Sequence, residues 1–417
     1  MSCHNPQATH PRGPTHACEI SIMSDATLGA YNIFDLRALA KKRLPRGLFE
    51  FIDRGCEDEV SLRNNRTALE RIKLKPRVLN DVSNRNQAVT LFGHRQDMPI
   101  AIAPTGTPGI MWYEGELELA RAAKAAGIPF TLATTTLTAM ERVVDEVGGR
   151  LWFQLYMYAD RSLSRWIAER AKNAGYEALI ITVDSATFSN REYNLRNGFT
   201  IPMTYSAKNI ADVLAHPRWL AGVWLRYLRD GGLPLYENYP PEVKAGVKAA
   251  PMGRAMKLND GLNWDDIREM RRLWPRTLMI KGVLSPADAA MAADCGVDGV
   301  VVSNHGGRVI DGAIAPIEAL PAMLDAVGKR MTVIVDSGYR RGSDIVKALA
   351  LGAHAVLVGR ATLYGVAAAG AAGGHRALAI LREEIDRVLA LIGCRGIDEL
   401  NRDRLVLPAR MATPPRP

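Results

Sequence analysis

The chain has no run of about 18 uncharged apolar residues, the length a helix needs to cross a bilayer, so the sequence offers no membrane span. Its opening, MSCHNPQATHPRGPTHACEIS, is polar and lacks the apolar stretch of a secretory signal. Cysteine is scarce: Cys3, Cys18, Cys56, Cys295 and Cys394 are an odd number, far apart, with no C-x-x-C pair. That excludes a disulfide framework and a thiolate metal or dithiol centre, and a reducing cytoplasm is the expected compartment. No metal is expected. Acidic residues are outnumbered by basic ones, 44 to 53, giving a net charge of +9. The excess favours anionic ligands or surfaces, but no recognition motif for nucleic acid accompanies it, so none is expected as a partner.

What is present is ordinary globular composition: 47% hydrophobic and 23% charged residues, with 36 Gly and 23 Pro in 417 residues. A single (β/α)8 barrel with insertions accounts for this length. Residues 1–28 read as a disordered leader, with Met23 as an alternative start, residues 29–400 as the barrel domain and 401–417 as a C-terminal tail. FDLRALAKKRLPRGLFEFI spaces Leu36, Leu39, Ala40, Leu44, Leu48 and Phe51 as helices do, with a break at Pro45, which predicts a helical cap. From Pro99 onward, eight short apolar or β-branched runs alternate with helical segments. They begin near 99, 129, 151, 178, 278, 299, 332 and 355, and parallel strands joined by crossover helices give this rhythm.

One connection breaks the pattern. After the fourth strand, 185–263 is far longer than a usual βα loop. It holds ten Lys or Arg against six Asp or Glu, and KNIADVLAHPRWLAGVWLRYLRD mixes Trp219, Trp224, Tyr227 and Leu228 with Lys208, Arg218, Arg226 and Arg229. This suits a helix lying on a membrane surface; a lid or an oligomer contact packed on the barrel is the alternative.

Barrel enzymes carry their chemistry at the C-terminal ends of the strands, and the polar residues here concentrate there. Gln154 and Tyr156 end strand three; Thr182 and Asp184 end strand four, with Arg191 beyond; Lys281 ends strand five. Strand six ends in Ser303, Asn304, His305, Gly306, Gly307 and Arg308; strand seven in Asp336, Ser337, Gly338, Arg340 and Arg341; strand eight in Gly359 and Arg360. Glycines beside arginines after the last two strands are suited to a phosphate. His305 with Asp184 makes an oriented base, and Arg308 with Arg191 a carboxylate clamp, which together describe proton abstraction from a small anion.

At SNHGGRVID the sequence resembles the FMN-dependent 2-hydroxy acid dehydrogenases and oxidases. LPRGLFEFID, APTG, WFQLY, TVD, Arg191, IKGV, DSGYRRGSDIVKALALGA and VGRATLYG follow in family order from about Tyr31 to Leu400, and the last two blocks look most like mandelate and membrane-associated lactate dehydrogenases. The resemblance implies an FMN enzyme that oxidises an (S)-2-hydroxy acid, with His305 as base, Asp184 orienting it, Arg308 and Arg191 on the carboxylate, Tyr156 touching the substrate and Lys281 beside the flavin. It implies that Pro104, Thr105, Gly106, Gln154, Thr182 and Ser303 hold the ring and ribityl chain, and that Asp336, Gly338, Arg340, Gly359 and Arg360 hold ribityl and phosphate. Three departures stand out. Phe51 occupies the place of a substrate-binding tyrosine. Ala133 replaces a serine found in many members, leaving neighbouring Thr134 to supply that flavin hydrogen bond. Gly106 replaces the alanine of glycolate oxidase, as in mandelate dehydrogenases. With the basic insertion, the expectation is a homotetramer, peripheral on the inner face of the cell membrane, that passes electrons to a quinone or other respiratory acceptor. An oxidase that reduces dioxygen and a catalytically silent FMN-binding barrel are the alternatives.

Overall fold

The computed structural model describes residues 29–198, 206–244, 246 and 260–412; the proposed leader lies outside them. Eight parallel strands close into a barrel: β1 (Ile100–Ile102), β2 (Phe130–Ala133), β3 (Leu151–Tyr156), β4 (Ala178–Thr182), β5 (Thr277–Val283), β6 (Gly299–Val302), β7 (Thr332–Val335) and β8 (Ala355–Val358). Closure comes from β8 pairing with β1, Val356 opposite Ile100. Side chains alternate across the wall. Ala101, Trp152, Ile180, Met279, Val301, Ile334 and Leu357 fill the interior, while their neighbours, such as Phe153, Ile181 and Val302, pack outward against the helices. The β-branched runs GVVV and TVIV suit strands buried on both faces.

Three helices precede the barrel: α1 (Ile33–Arg43), α2 (Arg46–Asp53) and α3 (Val60–Arg71). Asn32 caps α1 through a capping box with Asp35, and Pro45, which has no N–H to give, is the residue before α2. Leu36, Ala40, Leu44 and Leu48 form the buried face. After β8 a long helix, Arg360–Leu391, breaks at Ala369 and Gly370. Gly370 has φ +60°, and a Cβ there would lie 2.5 Å from the Trp112 ring. The three described cysteines of the fold, Cys56, Cys295 and Cys394, are free and buried.

Two regions are packed more closely than composition alone shows. Residues 401–412 are not a loose tail: Leu405–Val406 pairs antiparallel with Lys73–Leu74, Leu405 is buried, and buried Arg404 donates to the Ile392 carbonyl at 3.0 Å. An apolar residue and a free strand edge made this docking favourable. The aromatic residues of the insertion also face the barrel more than they face outward. Trp219 is 6% exposed and its indole N–H donates to the Ile110 carbonyl at 2.8 Å. The Tyr227 hydroxyl accepts from the Glu114 N–H at 3.1 Å, Arg226 stacks on Tyr113 at 3.9 Å, and Asn238 caps the Met140 N–H at 2.9 Å. Exposed on the same segment are Ile210, Leu214, Leu225 and Leu228.

Trp219 is thus the anchor of residues 206–230. Trp219→Ala is expected to cost about 3 kcal/mol of local stability and to speed tryptic cleavage after Arg218, Arg226 or Arg229 roughly a hundredfold. Timed proteolysis of both proteins checks this.

Candidate active site

A cavity open to solvent lies at the C-terminal ends of the strands. His305 reaches it through an unusual backbone: His305, Gly306 and Gly307 have φ of +56°, +66° and +72°. For a non-glycine residue this is a strained region that persists only when its surroundings enforce it. Here the Ser303 hydroxyl accepts the His305 N–H at 3.0 Å, the Ser337 hydroxyl accepts the Gly306 N–H at 3.0 Å, and the Asn304 side-chain oxygen accepts the Gly307 N–H at 3.1 Å. Asn304 is fixed in turn by reciprocal amide bonds with Asn65 of α3, at 2.9 and 2.7 Å.

His305 Nδ1 lies 3.0 and 3.1 Å from the two oxygens of Asp184. Burial pushes the Asp184 carboxyl up, but the His305 and Lys281 side chains outweigh it and hold the group at about 2. Asp184 is therefore ionised and accepts from Nδ1–H, which leaves the Nε2 lone pair free. Burial is also the largest influence on His305 and, with Lys281 and Arg191, it overcomes the pull of Asp184 and lowers the imidazole below 6.5. At neutral pH this ring is a neutral, oriented base. A Cβ at Gly282, φ +103°, would lie 2.5 Å from the Asp184 Cβ, so only glycine leaves room for that carboxylate.

Lys281 is 3% exposed and reaches Ser303 Oγ at 3.0 Å and Asp336 Oδ2 at 3.2 Å. Burial disfavours its charge, yet Asp336 and Asp184 raise its pKa, so it remains an ammonium. Burial and the nearby Asp184 raise the Tyr156 phenol, which stays a hydrogen-bond donor.

Arg308 and Arg360 are held by the carbonyl end of α2. Arg308 donates to the Phe51 and Arg54 carbonyls at 2.8 and 3.0 Å; Arg360 donates to those of Ile52 and Arg54 at 2.8 and 3.0 Å, and to Gly306 at 2.9 Å. The last carbonyls of a helix have no partner of their own and carry partial negative charge, so they suit cations. Burial, then the neighbouring Arg191, brings Arg308 down to about 10; burial also lowers Arg340 and Arg360. Among the described residues none of these three arginines forms an ion pair with a carboxylate. Buried cations left in this state call for an anion that the protein itself does not supply.

Most residues singled out from the sequence meet in this one cavity: Phe51, Pro104, Thr105, Gly106, Gln154, Tyr156, Thr182, Arg191, Lys281, His305, Arg308, Asp336, Gly338, Arg340, Gly359 and Arg360 all line it. Asp184 and Ser303 stand behind it, supporting His305 and Lys281. Thr134 does not face it. Its hydroxyl is fully buried and donates to the Gln154 carbonyl at 2.6 Å, because residue 134 points the other way from its two neighbours. Thr135, beside Ala133, lines the cavity instead. Sequence reading named Ser337 at the end of strand seven without giving it a role, and passed over the carbonyls of α2. Ser337 stood in the right loop, but backbone carbonyls carry no residue-type signal. Arg341, next to Arg340, turns outward to Glu384 at 2.9 Å.

The comparisons with known proteins agree with this arrangement. Residues 40–407 match the FMN-dependent dehydrogenase family. The (S)-mandelate dehydrogenase of Pseudomonas putida is 43% identical over 90% of this chain and 93% of its own. An L-lactate dehydrogenase of Azorhizobium caulinodans is 39% identical over 89% and 97%, and an L-lactate oxidase of Nostoc sp. 38% identical over 90% and 98%. Among solved structures, a monotopic membrane protein, (S)-mandelate dehydrogenase, superposes with a TM-score of 0.86 at 43% identity, covering 91% of this chain and all of that one. FMN suits the residues present: Arg340 and Arg360 offer buried charge for a phosphate, and Lys281 sits deeper among Gln154, Thr182 and Asp336. The site and the sequence together place this chain in the FMN-dependent dehydrogenase family.

Proposed function

We propose that the protein oxidises an (S)-2-hydroxy acid with an aryl side chain, of the mandelate type, to the 2-oxo acid, and passes the electrons to a membrane quinone or another respiratory acceptor. One observation carries the reaction type: a single cavity joins a neutral His305, oriented by Asp184, to Arg191 and Arg308, neither of which is paired with a carboxylate among the described residues. Arg191 and Arg308 bind the substrate carboxylate and so fix the position of its Cα. His305 Nε2 takes a proton, and Asp184 stabilises the imidazolium that forms. Tyr156 donates a hydrogen bond to the substrate. Pro104, Thr105, Gly106, Gln154, Thr182 and Lys281 hold the flavin ring and ribityl chain; Asp336, Gly338, Arg340, Gly359 and Arg360 hold ribityl and phosphate. Bound FMN supplies the acceptor for the two electrons that leave the alcohol. The aryl preference is supported by Gly106, which leaves open the space a side chain would take beside Thr135, and by the relative that acts on (S)-mandelate.

The acceptor is inferred from the surface. Leu225 and Leu228 are about half exposed beside exposed Arg226 and Arg229, and Ile210 and Leu214 project from the preceding helix, Ala207–Leu214. An apolar strip flanked by arginines fits a headgroup boundary, and no helix among the described residues is long and apolar enough to cross a bilayer. The membrane association of the relative described as monotopic points the same way.

Anaerobic mixing with (S)-mandelate, (S)-lactate and glycolate, followed by flavin absorbance at about 450 nm, tests the reaction. Mandelate is expected to bleach the colour fastest; no bleaching by any of the three would refute it. Rapid colour return in air with hydrogen peroxide would favour an oxidase over this acceptor.

Four further outcomes are expected. Because the folded protein lowers the His305 pKa, kcat/KM should stay level down to pH 6.5 and fall only as pH drops below it. Asp184→Asn removes the group that raises His305, so the acid limb should move lower while kcat falls by about 10²–10⁴; a pH profile of both proteins reads this. Phe51→Tyr places a hydroxyl beside Arg308 and should tighten substrate binding by about 1 kcal/mol, seen as a roughly fivefold lower KM. Leu225→Glu with Leu228→Glu should release the protein from anionic vesicles in flotation, with dye-linked activity retained.

A further inference from the structure

His305 stands in a turn that runs from Asn304 to Gly307 and is closed by the Gly307 N–H on the Asn304 carbonyl at 3.0 Å. Both central residues, His305 and Gly306, have positive φ, as in a type I′ turn, so the aim of the imidazole depends on what keeps this turn closed. The Asn304 side chain is a second lock on it. Its oxygen accepts from the Gly307 N–H at 3.1 Å and from the Asn65 amide at 2.9 Å; its nitrogen donates to the Asn65 oxygen at 2.7 Å and to the Ile314 carbonyl at 3.2 Å. A primary amide has two donors and two acceptor positions, and all of them are used here. Asn65 and Asn304 are 1% and 4% exposed, so solvent does not stand in for either partner. The helix that carries Asn65 also touches the turn directly: a Cβ at Gly307 would lie 2.6 Å from the Leu62 nitrogen.

We propose that Asn65 is a positioning residue for His305: from a helix outside the barrel it holds the turn closed through the Asn304 amide, and so keeps the imidazole on Asp184. Asn65 does not line the catalytic cavity and acts only through Asn304. Its consequence for the reaction rests on the reading of His305 as the base. Without the Asn65 amide the Asn304 oxygen loses its fixed direction, the turn relaxes toward ordinary negative φ at His305, and Nδ1 leaves Asp184. The charged groups that face the imidazole are Asp184, Lys281 and Arg191, but burial outweighs them all, so a ring released into the open cavity titrates higher, toward 6.5. The substrate clamp is spared, because the Arg308 guanidinium hangs from the Phe51 and Arg54 carbonyls and not from Asn65.

Flavin reduction by (S)-mandelate, followed across pH in FMN-loaded Asn65→Ala and Asn65→Asp proteins, tests the proposal together with an NMR titration of His305 in labelled protein. In Asn65→Ala, kcat is expected to fall about 10–100-fold with KM held within about twofold. The His305 titration and the acid limb of the rate profile should both move up toward 6.5. Asn65→Asp offers the same donor and acceptor while its carboxyl is protonated, a state that burial favours, so it should recover most of kcat at the acid end of the profile. An unchanged His305 titration in Asn65→Ala would overturn the proposal. So would an Asn65→Asp protein no better than Asn65→Ala, or a loss of kcat matched by equal losses of bound flavin and substrate affinity, the mark of a general loosening of the fold. A shifted titration with kcat unchanged would uphold the positioning of His305 and refute its role as base, which separates the two readings.

Discussion

Two guanidinium groups buried against the carbonyl end of a short helix organise this active site. Arg308 and Arg360 follow different strands, β6 and β8, yet both are anchored by the last carbonyls of α2. The helix satisfies their donors without neutralising them, because a carbonyl carries only a partial charge. Had Asp or Glu stood in those places, the pairs would be self-sufficient and the cavity would have no demand for an anion. The N-terminal cap is thus part of the site, and α3 extends the same support by clamping Asn304 through Asn65.

Charge around His305 follows a consistent logic. Asp184 lies between an imidazole and an ammonium, and both favour its ionised form. Burial together with the surrounding cations keeps the imidazole neutral, so a base is ready even though a carboxylate touches it. The positive φ at His305 and the bare Gly282 are the local costs of placing these groups so close.

Much of this was legible in the sequence. The barrel followed from eight apolar runs, and all eight observed strands begin within one residue of the expected position because buried parallel strands read as continuous hydrophobic stretches. The catalytic set was legible because strand ends concentrate function in this architecture. Thr134 was misplaced because a neighbour in sequence is not a neighbour in space: adjacent strand residues face opposite ways. The aromatic residues of the insertion were left between two readings, a membrane-surface helix and a lid packed on the barrel, for a related reason. Composition reports that Trp219 and Tyr227 are amphipathic, but not which surface they meet. The pairing of Leu405 with Leu74 joins segments more than 300 residues apart, and short-range patterns contain no trace of it.

That pairing bears on how the chain acquires its structure. The barrel closes only when β8 meets β1, and the strip formed by Lys73–Leu74 is completed only by Leu405–Val406. Contacts of such long sequence separation are slow to form and come late in synthesis. A growing chain holds most of its strands for many seconds with the β1 edge open, so this protein's exposure to misassembly is concentrated before the last residues leave the ribosome.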